Sequence, residues 1–141
     1  MINGDKNEIL ERLSKIDDVI FVGGTSEFLQ GIKKELRDID ISVKTFDVLR
    51  EIGYIHKNKD YSFHGASGER GFIPLRSVLI DVFIDEKIDF IAVNGFKCEV
   101  VSSMLERQEK TLEMNAKTLL ESTKEKLKSN INRLKSWQES K

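Results

Sequence analysis

Three aspartates inside β-like apolar segments are the residues of this chain best suited to chemistry. Asp38 and Asp40 stand one residue apart between isoleucines, and Asp81 interrupts the apolar run 78–84. Side chains alternate between the two faces of a strand, so Asp38 and Asp40 should point the same way. A carboxylate on an apolar strand is costly unless opposite charge lies against it. If the two strands are neighbours, the three carboxylates converge on a site suited to Mg²⁺ or Mn²⁺.

A glycine turn precedes the first two aspartates. The apolar run 19–22 ends at Gly23 and Gly24, which Thr25, Ser26 and a helix-like segment follow. Glycines let the backbone approach a ligand closely, and the unpaired N–H groups of a helix start bind phosphate. The hydroxyls of Ser26 and Thr25 can add further contacts. A phosphate site beside a metal site is the equipment for phosphoryl or nucleotidyl transfer.

The apolar periodicity predicts the elements that position these residues. The first half of the chain is predicted to form a helix over 8–16, a strand over 19–22, a helix from Ser26 to Leu36, a strand over 38–43 and, after Thr45, a helix over 46–52. Weak strands around a loop are predicted in 54–77. Strands over 78–84 and 88–93, joined by a hairpin at 85–87, follow, and then a turn at Asn94-Gly95. This order predicts an α+β protein, a mixed sheet with helices packed on it.

The C-terminal segment 99–141 is predicted to be helical and to follow a core formed by residues 1–98. It has no Gly or Pro, and it forms either one long helix or two that meet near Asn115. Leu127, Leu134 and Trp137 belong to a stripe with four- and three-residue steps, a spacing typical of coiled coils. The stripe either packs on the protein's own sheet, which we favour, or forms a homodimer.

Composition limits the classes of protein that fit. Net charge is −1, with 39% hydrophobic and 33% charged residues, which is typical of a globular chain without a global drive toward nucleic acid or membrane. Cys98 is the sole cysteine, so an internal disulfide is excluded, and with only His56 and His64 beside it a zinc site is disfavoured. No apolar run is long enough to span a bilayer, and we expect a cytoplasmic protein.

The motifs together resemble the nucleotidyltransferase superfamily that includes DNA polymerase β. The family pattern is a hydrophobic strand, a glycine turn, a helix, a strand with two alternating acids and a later strand with a third acid. Here these are Phe21-Val22-Gly23-Gly24, Arg37-Asp38-Ile39-Asp40-Ile41 and Ile80-Asp81-Val82. The sequence GGTSEFLQG…RDIDI looks closest to the branch of abortive-infection toxin nucleotidyltransferases, which belong to toxin–antitoxin systems. The basic segment 124–131 looks like the helix that often follows this fold.

The resemblance implies a nucleotidyltransferase-type sheet, an NTP such as ATP as substrate, and Mg²⁺ or Mn²⁺ as cofactor. Asp38 and Asp40 would hold the metal, and Asp81 would complete its site and help to activate the attacking hydroxyl. Gly24 and Ser26 would cradle the phosphates, while Arg70, Arg76 or a tail lysine would neutralise them. The acceptor could be a protein, an RNA 3′ end or a small molecule.

Two other functions compete with the enzyme. A nucleotidyltransferase-like domain can lose its chemistry and serve in binding or regulation, since fold does not dictate function. Alternatively, the C-terminal stripe organises an oligomeric interaction protein. Binding of nucleotide and metal would separate the enzyme from the non-catalytic domain. The oligomeric state of a chain without the C-terminal segment would test the interaction protein.

Overall fold

The structure is a computed structural model that describes residues 5–58, 69–84, 88–114, 117 and 120–140. Its helices are α1 (Lys6–Ser14), α2 (Gly23–Leu29), α3 (Val101–Met114) and α4 (Glu121–Glu139), with a 3₁₀ turn at Phe46–Leu49. Its strands are β1 (Ile20–Phe21), β2 (Ile39–Val43), β3 (His56–Asn58), β4 (Arg70–Pro74), β5 (Leu79–Ile84), β6 (Phe90–Val93) and β7 (Phe96–Glu99). The predicted α+β class is confirmed for these residues.

The described strands form one mixed sheet in the order β3-β4-β5-β2-β1-β7-β6. The pairs β2–β5 and β1–β7 are parallel, and the remaining neighbours are antiparallel. Parallel neighbours cannot be joined by a tight turn. Between β2 and β5 the chain passes through β3 and β4, which lie in the sheet on the side of β5 away from β2.

One face of the central strands carries the main core. Ile39 and Ile41 of β2, together with Ile80 and Val82 of β5, are completely buried. Helix α1 covers this face with Ile9, Leu10 and Leu13, and Asp5 caps its start by accepting a 2.9 Å hydrogen bond from the Glu8 amide. Because alternate residues face opposite ways, burying these aliphatic side chains turns the intervening aspartates toward the other face.

Helices α3 and α4 form a second apolar cluster against each other. Met104 of α3 and Leu134 of α4 are completely buried, and Ile32 and Trp137 pack against the same cluster. The C-terminal segment is thus two helices that separate near the predicted point. The apolar stripe of α4 packs within the chain, against α3 rather than on the sheet as we expected. None of the described helices is long and apolar enough to cross a bilayer.

Several predicted elements are corrected. Helix α2 begins at Gly23 and ends at Leu29, instead of running from Ser26 to Leu36, because Gly31 takes a positive φ of 84° and the chain turns. The helix predicted after Thr45 is only a short 3₁₀ turn. Strands β5 and β6 are not neighbours, so they cannot form the predicted hairpin.

A predicted turn is confirmed, whereas two predicted connections lie wholly or partly outside the described residues. Asn94 and Gly95 do form a turn, between β6 and β7, with positive φ at both residues. Residues 85–87 and 59–68 lie outside the described residues, and β3 and β4 are the strands found in the segment 54–77, which was predicted to hold weak strands around a loop. The predicted boundary at residue 98 falls one residue before the end of β7.

Candidate functional site

The three predicted aspartates line one cavity of about 380 Å³. Asp40 of β2 and Asp81 of β5 are register partners on adjacent parallel strands. Asp38 immediately precedes β2 and lines the same cavity. The alternation seen in the sequence thus brings the carboxylates to one side of the sheet, opposite the aliphatic core.

Asp40 lies in an electrostatic environment that opposes its ionisation. Burial, followed by the negative charges of Asp81 and Asp38, raises the pKa of Asp40 from 3.8 to about 7. The cations Arg70 and Arg107 oppose this rise in pKa without cancelling it. A half-buried carboxyl that resists ionisation next to other carboxylates is a common feature of catalytic and cation-binding sites.

The glycine turn forms the wall next to Asp40. Gly23 has a positive φ of 52°, and a Cβ atom there would lie 3.6 Å from Oδ2 of Asp40. A Cβ atom at Gly24 would lie 3.4 Å from Nζ of Lys33. Both glycines line the cavity, and they allow the backbone, a carboxylate and an ammonium group to approach one another.

Thr25 and Ser26 occupy different positions from those predicted. Both are completely buried, and neither is among the residues that line the cavity. The Thr25 hydroxyl accepts a 2.8 Å hydrogen bond from the Asp40 amide, and the Ser26 hydroxyl donates a 2.7 Å bond to the Glu99 carbonyl. These hydroxyls fasten α2 to β2 and β7, so in this structure they do not present a surface to a nucleotide.

Arg70 lies where the sequence predicted a cation. Its guanidinium is 3.1 Å from Oδ1 of Asp81 and 4.9 Å from the ring centre of Phe83. Arg70 lines the cavity, whereas Arg76 is not among the lining residues. Of the two arginines that the sequence offered, the structure therefore brings Arg70 to the carboxylates.

Glu99, a residue that the sequence reading missed, organises the glycine turn. Its completely buried carboxylate accepts hydrogen bonds of 2.7 and 2.8 Å from the Arg107 guanidinium. The same carboxylate accepts bonds of 2.7 Å from the Ser103 hydroxyl and 3.1 Å from the Gly23 amide. The first N–H group of α2 is thus already bound to an internal anion. An isolated acid at the end of a strand carries no spacing signal that could have revealed this network.

A second buried acid, Glu27, joins α2 to α4. It is 2% exposed and accepts hydrogen bonds of 3.1 and 2.8 Å from Arg133. Lys33 lies 3.7 Å from its other oxygen. This contact fixes α4 above the glycine turn, which is why α4 contributes Lys126 and Asn130 to the cavity wall.

The remaining wall is largely cationic and polar. Lys33, Arg107 and Lys126 line the cavity beside Gln108. The Gln108 side-chain oxygen is buried and has no hydrogen-bond partner among the described residues.

Cys98 is completely buried, and burial raises the pKa of its thiol to about 11. It therefore behaves as a packed thiol rather than a nucleophile.

Three aspartate carboxylates line the cavity, those of Asp38, Asp40 and Asp81. Within the part of the chain that the structure describes, no three His, Cys, Asp or Glu side chains stand close enough together to hold a metal ion. The chemistry of the donor set nevertheless fits a hard divalent cation, because carboxylate oxygens are its preferred protein ligands. The Arg70–Asp81 contact would have to open for Asp81 to join Asp38 and Asp40 as a ligand.

Comparison with known proteins does not assign the chain to a family. No protein-family model matches the sequence, and a search of curated proteins gave no match either. The cavity is therefore the basis for inferring a function: it combines paired carboxylates on parallel strands, a glycine turn beside them, and cations from four separate segments of the chain.

Proposed function

We propose that this protein transfers a nucleoside monophosphate from an NTP to a hydroxyl acceptor, with Mg²⁺ or Mn²⁺ as cofactor. The observation that carries the proposal is the in-register pairing of Asp40 with Asp81 on parallel strands. The cavity they line also receives Asp38 and the Gly23 turn. The order of these parts along the chain is that of the nucleotidyltransferase pattern that the sequence resembles, and their meeting at one cavity supports the proposal.

Asp38, Asp40 and Asp81 would hold the divalent cation. Burial and mutual repulsion oppose ionisation of Asp40, and a bound cation would remove that opposition. When bound, it supplies charge stabilisation for the attacking and leaving oxygens of a phosphoryl group. Asp38 and Asp40 form no ion pair among the described residues, in contrast to Asp81.

The phosphates would contact the cations of the cavity wall. Lys33 lies next to Gly24, and Arg107 and Lys126 line the same cavity. A triphosphate carries several negative charges, which ammonium and guanidinium groups neutralise through charge-assisted hydrogen bonds. These three residues support a phosphate site formed mainly by side chains, since the Gly23 amide is bound to Glu99.

The chain's own residues provide a path for the proton. The acceptor oxygen forms a bond to the α-phosphorus, the bond to the departing pyrophosphate breaks, and the hydroxyl proton passes to Asp81 after its contact with Arg70 opens. Arg70 would then contact a phosphate. In the resting state, the 3.1 Å ion pair with Arg70 would keep the Asp81 carboxylate occupied until the substrate arrives.

Labelled NTP and Mg²⁺, incubated with candidate protein, RNA and small-molecule acceptors, would test the proposal. Asp40→Asn should lower transfer by ~10²-fold or more, as expected when a group central to phosphoryl chemistry is removed. Asp47→Asn is a matched control, because the Asp47 side chain is 77% exposed and lies outside the cavity lining. Equal transfer by the two variants, or no transfer to any acceptor, would contradict the proposal.

A non-catalytic binding or regulatory role is the second candidate. The Arg70–Asp81 ion pair and the Glu99–Gly23 bond favour it, because both satisfy within the protein groups that a catalytic site would offer to substrate. Calorimetry with NTP and Mg²⁺ separates the two roles. Tight Mg²⁺-dependent NTP binding favours the enzyme, whereas the absence of both nucleotide and metal binding favours the regulatory domain.

A further inference from the structure

Strand β6 forms an exposed apolar edge of the sheet. It is the last strand in the order β3-β4-β5-β2-β1-β7-β6, and among the described strands its only neighbour is β7. Its sequence is FIAV, and Phe90 and Ile91 are each 46% exposed. The strand at the other edge, β3, has the sequence HKN, and charged residues such as its lysine protect an edge from pairing with another chain. Strand β6 has no residue of that kind.

The backbone of β6 presents hydrogen-bonding groups on its outer side. Phe90 is the register partner of Glu99, and the Val100 amide donates a 3.0 Å bond to the Asp89 carbonyl. In an antiparallel ladder, such a bond flanks a pair whose two residues exchange no hydrogen bonds with each other. Because bonded and non-bonded pairs alternate along the ladder, Phe90 and Ala92 direct their amide and carbonyl groups away from β7.

A second copy of the same strand is complementary to this edge. Two β6 strands that run antiparallel about a twofold axis place Ile91 opposite Ile91 of the second copy. Phe90 then lies opposite Ala92 of the second copy, and every outward amide and carbonyl of these two residues finds a partner. A large ring faces a small methyl group, and Asp89 faces Val93 of the second copy. No like charges are therefore opposed across the pair, an arrangement that would destabilise it.

We propose that β6 joins two copies of this chain into a homodimer in which the two sheets become one continuous sheet. Self-pairing satisfies the apolar centre, the alternation of size and the outward backbone groups at once, which is why a second copy is the occupant that the edge fits. The contact is limited to short strands of four residues. It therefore falls below the ~800 Å² per partner of a standard interface, and we expect a dimer that dissociates on dilution. This surface is separate from the apolar stripe of α4, which α3 covers, and the proposal does not depend on the transferase activity.

Sedimentation equilibrium of the full chain over a wide range of concentration tests the dimer. The average mass should rise from 16.2 kDa toward twice that value. Ala92→Pro removes an outward amide and leaves the bonds to β7 in place. It should weaken dimerisation at least ~30-fold, because the two copies together lose two hydrogen bonds, while its circular dichroism spectrum stays that of the wild type.

A charge pair at residue 91 tests the same contact without proline. Ile91→Lys and Ile91→Glu should each remain monomeric, since each opposes like charges across the axis. An equal mixture of the two variants should recover a dimer, because lysine then faces glutamate. Leu120→Lys is the matched control: Leu120 is 73% exposed and lies outside β6, so this variant should dimerise like the wild type.

Cysteine cross-linking tests the register. Ile91→Cys should form a disulfide-linked dimer under mild oxidation, because the two copies of residue 91 are directly opposed. Val93→Cys should not, since its two copies would lie about 13 Å apart along the strands. The native Cys98 is completely buried and does not compete. A chain that stays monomeric at every concentration would overturn the proposal. So would a dimer that Ala92→Pro leaves unchanged, or one that cross-links equally at both positions.

Discussion

Replacement of Asp40 by asparagine should stabilise the ligand-free protein at neutral pH. The pKa of Asp40 is raised from 3.8 to about 7 by burial and by the charges of Asp81 and Asp38. A carboxyl whose folded pKa lies above its unfolded value loses its proton first in the unfolded chain. Stability is therefore lost as pH rises from about 3.8 toward 7. Asparagine keeps the shape of the side chain and removes this pH-dependent cost.

The size of the effect follows from the same two pKa values. The cost of Asp40 is near zero below pH 3.8, about 2 kcal/mol at pH 5, and about 4 kcal/mol above the folded value of about 7. The free energy gained by Asp40→Asn should grow along the same curve. This is a large fraction of the total stability of a small domain, so its pH dependence is measurable.

Urea unfolding at pH 4, 5.5 and 8 is the appropriate assay, performed without divalent cations on the wild type, Asp40→Asn and Asp47→Asn. The Asp47 carboxylate is exposed, and its variant should differ little from the wild type across this range. A difference between Asp40→Asn and wild type that is independent of pH would refute the electrostatic reasoning. A variant that is less stable at pH 8 would refute it as well, by showing that the ionised carboxylate is stabilised.

Three further predictions follow from the positions of single residues. Glu99→Ala leaves the Arg107 guanidinium without its buried partner and should cost about 3–5 kcal/mol in urea unfolding; a loss under 1 kcal/mol would contradict the role of this pair. Gly23→Ala and Gly31→Ala both place a side chain at positive φ and should each cost about 1–2 kcal/mol. Only Gly23→Ala should also weaken NTP binding in calorimetry, since a Cβ at Gly31 meets nothing within 4 Å. Leu134→Ala empties a completely buried position and should lower stability by about 2–5 kcal/mol, whereas an unchanged midpoint would show that α4 does not pack as described.

The convergence of the aspartates could be foreseen because it depends on local alternation. Asp40 follows a buried isoleucine, as Asp81 does, so each had to face away from the core. Their register pairing also required β2 and β5 to be neighbours, which the sequence reading assumed without a signal for it. The turn at Asn94-Gly95 was predictable for a similar reason, since both residues tolerate positive φ.

The missed features depend on contacts between distant segments. The two buried acids, Glu99 and Glu27, find their arginine partners on α3 and α4, and no periodicity marks a residue whose charge is neutralised from another helix. The predicted hairpin after β5 was wrong because short apolar strands carry no information about which neighbour they pair with. The hydroxyls of Thr25 and Ser26 fit a phosphate loop by type, but tertiary packing gave them backbone partners instead.

The bond between the Gly23 amide and Glu99 spans 76 positions of the chain. Closing a segment of that length costs about 4 kcal/mol of chain entropy before any contact repays it, and such long-range closures slow folding. While the polypeptide is being synthesised, the Gly23 amide lacks its carboxylate acceptor until Glu99 of β7 has left the ribosome. The cavity consequently forms late, because α3 and α4 supply part of its wall; a truncated or stalled nascent chain carries the aspartates and glycines without an enclosed cavity around them.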